Sequence, residues 1–275
     1  MTTDTLVLTD RQKREKTFYE QYVESFNFQN DIELAPVKGD EERPWNSYWA
    51  VYSFAKHLFR PGAKLLDFGS GPGENALRFS HLGYFVEGFD ICEANIVVSR
   101  KLFKKYGKSD LGSFQVSAAE KLPYPTDHFD FIAGIDILHH VDVEKSLKEC
   151  KRVLKPGGVA IFREPIEVPL LDWIRNTFIV RAFAPKSKSL DLHITEDERK
   201  LNRTDIKIIE SVFPNVQYEN FFLLARFDKF YRKGSDSHPS ILEKLDHMIL
   251  RMFPFLKAFG GVRIIVLKKE IFKLE

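Results

Sequence analysis

The amino-acid sequence predicts an α/β protein built on a doubly wound, mostly parallel sheet of seven strands. Short apolar runs alternate with helical sequence from residue 64 onward, and such alternation requires right-handed crossovers between parallel strands. The first run, Lys64–Phe68, breaks into Gly69-Ser70-Gly71-Pro72-Gly73, and helical sequence resumes at Glu74. A strand, a glycine turn and a helix let a backbone approach a nucleotide closely, because glycine has no Cβ to block the approach.

Each element has its own local signal. Apolar and aromatic runs predict the strands, and apolar positions with a period of about 3.6 residues predict the helices. Strands are expected near 64–68, 84–89, 113–117, 129–135, 158–163, 216–225 and 262–267. Helices are expected near 11–28, 45–59, 74–82, 93–106, 143–153, 203–212 and within 240–259.

The first sixty residues carry two aromatic helical segments. One face of the first segment holds Phe18, Tyr19, Tyr22 and Phe26. This helix either packs over the sheet or caps a site at its edge. Residues 31–43 are expected to form a loop, and the second segment ends at Arg60-Pro61-Gly62, a helix stop signal.

Composition limits the function classes. With 275 residues and 44% hydrophobic content, the chain can bury one large core. A net charge of +2 is no signature of nucleic-acid binding. The start of the chain does not resemble a secretory signal, and no apolar run reaches the roughly 20 residues of a spanning helix. We therefore expect a cytoplasmic protein, soluble or attached to a surface.

Three features follow the glycine turn. The strand Tyr84–Phe89 ends at Asp90, where an acid binds ribose hydroxyls in doubly wound folds. The segment 118–125 leads into the strand 129–135, and Lys155-Pro156-Gly157-Gly158 precedes Val159–Phe162. In this order and at these spacings, residues 45–165 resemble the class I S-adenosylmethionine (SAM)-dependent methyltransferases. The resemblance is to the small-molecule group that includes the ubiquinone/menaquinone enzymes.

The resemblance implies SAM as the cofactor and S-adenosyl-L-homocysteine as its product. It implies that Asp67 lies near the methionine amino group, that Asp90 binds the ribose, and that Glu120 lies by the adenine edge. The complete set of implied cofactor residues is Asp67, Gly69, Ser70, Gly71, Gly73, Asp90, Ile91, Ala119, Glu120, Ile135, Asp136 and His139.

Candidate catalytic groups are fewer. His140 follows the fourth strand and Glu164 follows the fifth, so both are expected at the carboxyl edge where ligands bind in open α/β sheets. His193 lies between the fifth strand and the next helix, where some relatives carry a substrate-facing histidine. Each histidine has the alternative of an ordinary loop residue. No His or Cys spacing indicates a metal site.

An NAD-dependent dehydrogenase is the rival interpretation of the glycine turn. The third glycine of a dinucleotide motif would fall at Glu74. A carboxylate at that helix start would repel a pyrophosphate. The sequence therefore disfavours this rival.

The interpretation divides the chain into an N-terminal helical cap, 1–60, and a SAM-binding domain, 61–275. Insertions near 164–200 and 228–260 are expected to roof an apolar acceptor pocket. We expect methylation of a small or lipid-like biosynthetic metabolite, at oxygen. The alternatives are N- or C-methylation of a small molecule, methylation of RNA or protein, and a non-catalytic SAM-binding subunit. The weak net charge disfavours a nucleic-acid partner.

The stretch 240–259 has a second interpretation. Apolar residues repeat on one helical face, and residues 226–275 contain eleven Lys and Arg against six Asp and Glu. Such a helix either packs on the domain or lies on an anionic membrane surface.

Overall fold

One sheet organises the protein in the computed structural model, which describes residues 8–24, 31–39, 41–169, 199–226 and 240–271. Its seven strands lie in the order β3-β2-β1-β4-β5-β7-β6. Neighbours among β1 to β5 pair in parallel, and β7 runs antiparallel to β5 and to β6. The strands are β1 Lys64–Phe68, β2 Phe85–Asp90, β3 Gly112–Val116, β4 Phe129–Ile135, β5 Leu154–Pro165, β6 Val216–Phe221 and β7 Val262–Lys268. The predicted doubly wound, mostly parallel seven-stranded sheet is confirmed.

Helices cover both faces of this sheet, and each face buries an apolar core. The α-helices are α1 Asp10–Glu24, α2 Ala35–Lys38, α3 Ser47–Leu58, α4 Glu74–His81, α5 Glu93–Lys105, α6 Val143–Val153, α7 Arg203–Val212 and α8 Ile241–Met252. Short 3-10 helices span Ser109–Leu111, Leu138–His140 and Pro254–Phe259. The buried residues of α3, α4 and α5 belong to the core on one face of the sheet, and those of α6 and α7 belong to the core on the other face. Among the helices of the described residues, none has the length and apolar content needed to cross a membrane.

Several element bounds differ from the predicted ones for local reasons. The expected loop 31–43 contains the one-turn helix α2, with a proline in its first turn. Helix α3 starts two residues later than predicted, because the Asn46 side chain caps it by accepting from the amides of Tyr48 and Trp49. The strand expected to reach residue 225 ends at Phe221, because Phe222 has a φ of +64°.

Parallel pairing brings the carboxyl ends of the strands to one edge of the sheet. Strands β1, β2, β4 and β5 all end at one edge, and β6 ends there as well through two antiparallel pairings. This carboxyl edge is where open α/β sheets bind ligands.

Candidate functional site

The glycine turn after β1 is held in place by β2 and α5. Gly69, Gly71 and Gly73 have φ values of +74°, +51° and +88°, a region that favours glycine. The Gly71 amide donates to Asp90 Oδ2 at 3.0 Å, and Ser99 Oγ donates to the Gly71 carbonyl at 3.0 Å. A Cβ added at Gly71 would meet no atom within 4 Å, so the turn borders open space.

Two buried side-chain oxygens lie beside this turn. Asp67 is 1% exposed and Ser70 is 3% exposed, and Asp67 Oδ2 and Ser70 Oγ have no hydrogen-bond partner within the described part of the chain. Burial raises the pKa of Asp67 to about 7, and the nearby Asp90 adds to the rise, while the Ala76 amide opposes it. A cationic ligand bound beside this buried carboxyl would favour its ionised form and would supply a hydrogen-bond donor to the carboxylate.

Asp90 ends β2 and ties two loops together. Its Oδ2 accepts from the Gly71 amide, and its Oδ1 accepts from the Cys92 amide at 2.8 Å. Burial raises the pKa of Asp90, and hydrogen bonds from Cys92, Asn95 and Gly71 oppose the rise. Ile91 follows at a half-buried position.

Helix α1 reaches the residues predicted at the adenine edge. Glu120 Oε2 accepts from Gln12 Nε2 of α1 at 2.9 Å, and its Oε1 accepts from the Asp142 amide at 3.0 Å. Ala119 beside it is buried. The carboxylate of Glu120 is therefore already bound by two parts of the chain.

The end of β4 meets a buried arginine from β5. Asp136, which follows the half-buried Ile135, has a φ of +55° and accepts from Arg163 Nη1. Arg163 is 1% exposed. Its Nε donates to Ser47 Oγ at 3.0 Å, and its guanidinium lies 5.9 Å from the centre of the Phe222 ring.

Glu164 and His139 form a buried pair. Glu164 is fully buried, and its Oε1 accepts from the amides of Ile137 and Leu138 at 2.9 and 2.8 Å. Its Oε2 lies 2.7 Å from His139 Nδ1. These contacts hold the loop after β4 against the end of β5.

His140 points to α1. Its Nδ1 lies 3.2 Å from Glu15 Oε1, and its ring lies edge-on to Tyr19 at 6.1 Å. Arg11 of the same helix donates to the His139 carbonyl at 2.7 Å. His193, the third candidate, lies outside the described residues.

Several contributors to the site were missed by sequence reasoning. Arg11, Gln12 and Glu15 bring α1 to the carboxyl edge, Ser99 holds the glycine turn, and Arg163 pairs with Asp136. Arg163 carried a signal, since a charged residue inside an apolar strand needs a partner. Among the described residues, no group of three or more His, Cys, Asp or Glu is arranged to hold a metal ion.

A cavity lies at the same edge, beyond the end of β6. Its volume is about 240 Å³, and its walls include Trp45, Phe221, Phe222, Asp246 and Leu250. Phe222 also contacts Arg163, so the cavity wall adjoins the residues at the ends of β4 and β5.

The central part of the chain is similar to known protein sequences. Residues 66–162 match a family described as a methyltransferase domain. A ubiquinone/menaquinone biosynthesis C-methyltransferase from Shewanella baltica is 33% identical over 155 residues, which are 54% of this chain and 61% of that protein. The corresponding protein from Shewanella frigidimarina is 32% identical over 157 residues. The chain thus spans 61% of the length of these curated relatives.

Solved structures share the fold. Geranyl diphosphate C-methyltransferase from Streptomyces coelicolor A3(2) has a TM-score of 0.60 at 13% identity, covering 96% of this chain and 99% of that one. A putative methyltransferase in complex with the Haloferax volcanii Trm112 activator has a TM-score of 0.56 at 18% identity, covering 94% and 99%. At these identities the likeness concerns the fold alone.

Proposed function

We propose that the chain is a class I SAM-dependent methyltransferase that methylates a small or lipid-like biosynthetic metabolite, and the match of residues 66–162 to a methyltransferase domain family supports this proposal. The curated relatives support a small-molecule acceptor. The activity of the whole chain is part of the proposal, because the match covers 61% of those relatives.

The observation that carries the proposal is a pair of buried oxygens beside the glycine turn, Asp67 Oδ2 and Ser70 Oγ, for which the described residues supply no hydrogen-bond partner. Burying polar atoms without partners costs free energy, so a ligand that supplies donors at this point is favoured. An ionised Asp67 would accept hydrogen bonds from the methionine ammonium of SAM. The Ser70 hydroxyl would bind the polar methionine end of the same molecule. The open space beside Gly71 gives the cofactor room along the backbone.

The remaining cofactor residues have the following roles in this proposal. Asp90 would accept from the ribose hydroxyls while it holds Gly71, and Ile91 and Ala119 would pack on adenine. Glu120 would accept from the adenine amine. Ile135, Asp136 and His139 would line the methionine end, with Gly69 and Gly73 shaping the turn.

When bound, SAM supplies an electrophilic sulfonium methyl group. The protein's task is then to hold the acceptor in line with that group and to exclude water, which accounts for most of the acceleration in such transfers. We place the acceptor at the ends of β4 to β6, where the cavity wall combines aromatic residues such as Phe221 and Phe222 with charged ones such as Glu219. The aromatic part of the wall would contact the apolar part of the acceptor. His140 and Glu164 remain candidates for contact with it, as does His193.

We place the transfer at carbon. The curated relatives are named C-methyltransferases, and the comparisons give no support to the oxygen expected from the sequence. Catalysis at either atom uses the same cofactor residues, so the atom is tested separately from the activity.

The first test measures SAM binding by calorimetry. Asp90→Asn removes one charged acceptor, and loss of such hydrogen bonds typically costs about 1.5–3 kcal/mol, so SAM affinity should fall by at least tenfold. Asp110→Asn is the matched control, because Asp110 is exposed in the 3-10 helix that precedes β3, away from the carboxyl edge of the sheet. Equal affinity of the two variants would show that the ribose assignment is wrong.

The second test uses methyl-labelled SAM, the purified chain and a lysate of its own source. Label in the organic phase supports an apolar acceptor, and label in RNA or protein contradicts it. Treatment with hydriodic acid then separates the atoms, because it cleaves methyl ethers and leaves C-methyl groups intact. SAM binding without label in any fraction would favour a non-catalytic SAM-binding subunit.

A further inference from the structure

Helix α8 turns its apolar side away from the protein. Ile241, Leu245, Met248 and Met252 are 77%, 38%, 52% and 64% exposed. At about 3.6 residues per turn, these four positions fall within about 60° of one another. The stripe continues into the next 3-10 helix, where Phe255 is 70% exposed.

The opposite side of α8 is buried, and it carries Leu250 together with two carboxylates. Glu243 and Asp246 are 2% and 3% exposed. Glu243 accepts from Asn46 Nδ2 at 3.0 Å, and Asp246 accepts from the amides of residues 223–225 at 2.7–2.9 Å. These bonds fix the rotation of the helix about its axis. The outward direction of the apolar stripe is therefore set by the fold.

The acidic and basic side chains of α8 also lie on different sides of the helix. Its two carboxylates face inward, whereas Lys244 and Arg251 are exposed, about 90° from the stripe along one side of the helix. The outer surface of α8 thus offers apolar and cationic groups and no carboxylate. Contiguous exposed apolar patches mark interaction sites in soluble proteins.

We propose that the outer face of α8, with Phe253 and Phe255, docks on an anionic lipid bilayer. An interfacial helix buries its apolar side among the acyl chains and keeps basic residues level with the headgroups, and this pattern fits a stripe flanked by Lys244 and Arg251. Each basic residue near an anionic surface adds to the attraction, which salt screens. The outer surface of α8 exposes no carboxylate, so the helix itself meets such a surface without repulsion.

The proposed face also adjoins the cavity. His247, Leu250 and Arg251 of α8 line it. If the proposed function is correct, an apolar acceptor dissolved in the bilayer would reach the carboxyl edge beside the docked helix. The passage of an acceptor from the bilayer to the carboxyl edge rests on the proposed function, whereas docking of α8 does not.

The test is co-sedimentation with vesicles of phosphatidylcholine alone and vesicles in which part of it is replaced by phosphatidylglycerol. The intact protein should sediment with the second kind and be released by added salt. Met248→Glu should weaken this partitioning by at least tenfold, since it puts a charge in place of apolar surface that the bilayer would bury. Val97→Glu, at a 41% exposed apolar position of α5, is the matched control and should bind as the unaltered protein does.

Protein that stays in the supernatant with anionic vesicles overturns the proposal. If that protein also self-associates in a way that Met248→Glu abolishes, the face is a contact between two copies of the chain. Equal loss of binding in Val97→Glu would also overturn the proposal, because the attraction would then not reside on α8. SAM binding measured on the same samples reports the proposed function separately.

Discussion

Glu164 Oε2 and His139 Nδ1 lie 2.7 Å apart at the ends of β5 and β4. Both residues are at most 2% exposed, and the other oxygen of Glu164 accepts from the amides of Ile137 and Leu138. A single carboxylate therefore positions the loop that leads from β4 toward the candidate acceptor site.

Glu164→Ala should destabilise the protein by about 2–5 kcal/mol, because it leaves two backbone amides and the buried His139 without their acceptor. Glu164→Gln should cost less, since an amide oxygen can still accept from both backbone groups. The free energy of unfolding in denaturant measures both effects. Glu144→Ala removes an exposed carboxylate from α6 and should change the stability by less than about 0.5 kcal/mol. A loss in Glu164→Ala no larger than this control would show that the carboxylate does not hold the loop.

Gly71→Ala should abolish SAM binding at a modest cost in stability. Gly71 and Gly107 have φ values of +51° and +63°, and a Cβ at either would meet no atom within 4 Å. Alanine in this region costs about 1–2 kcal/mol in both places. At Gly71 the methyl group enters the space proposed for the cofactor, whereas Gly107 lies in the turn after α5. Thermal unfolding should therefore shift alike in the two variants, and calorimetry should show SAM binding lost in Gly71→Ala alone.

The sequence predicted the sheet and the glycine turn because their signals are local. Apolar runs, glycines and the acid at Asp90 can be recognised within a few residues of each other. The contact between Gln12 and Glu120 joins positions 108 residues apart and depends on how α1 packs, so the sequence carried no local signal for it. The early end of β6 was missed for a related reason, since the amides of residues 223–225 bind Asp246 on a distant helix.

Gln12→Ala should speed SAM dissociation by at most about fivefold, because Gln12 acts on the cofactor site through Glu120. The Gln12 side chain holds Glu120 from α1, and the loss of one hydrogen bond of this kind costs about 1 kcal/mol. Stopped-flow dissociation measures the effect. Lys13→Ala is a fitting control, because the Lys13 side chain on the same helix is 62% exposed and pairs with the exposed Asp10. Equal rates in the two variants would mean that α1 does not act on the cofactor site.

Asp67→Asn should stabilise the cofactor-free protein and weaken SAM binding. Folding raises the pKa of Asp67 from 3.8 to about 7, so its ionisation favours the unfolded chain. Its contribution to stability is therefore fully present below about pH 4 and is lost as the pH rises toward 7.

Asparagine does not titrate, so the stability gained by Asp67→Asn should grow by about 2 kcal/mol between roughly pH 5 and pH 7. SAM affinity of the unaltered protein should fall as the pH drops below about 7, because the methionine ammonium needs the ionised carboxylate. Denaturant unfolding and calorimetry at each pH measure the two effects. A stability gain that does not vary with pH would show that Asp67 ionises normally in the folded chain, and its buried oxygen would then require a partner even without the cofactor.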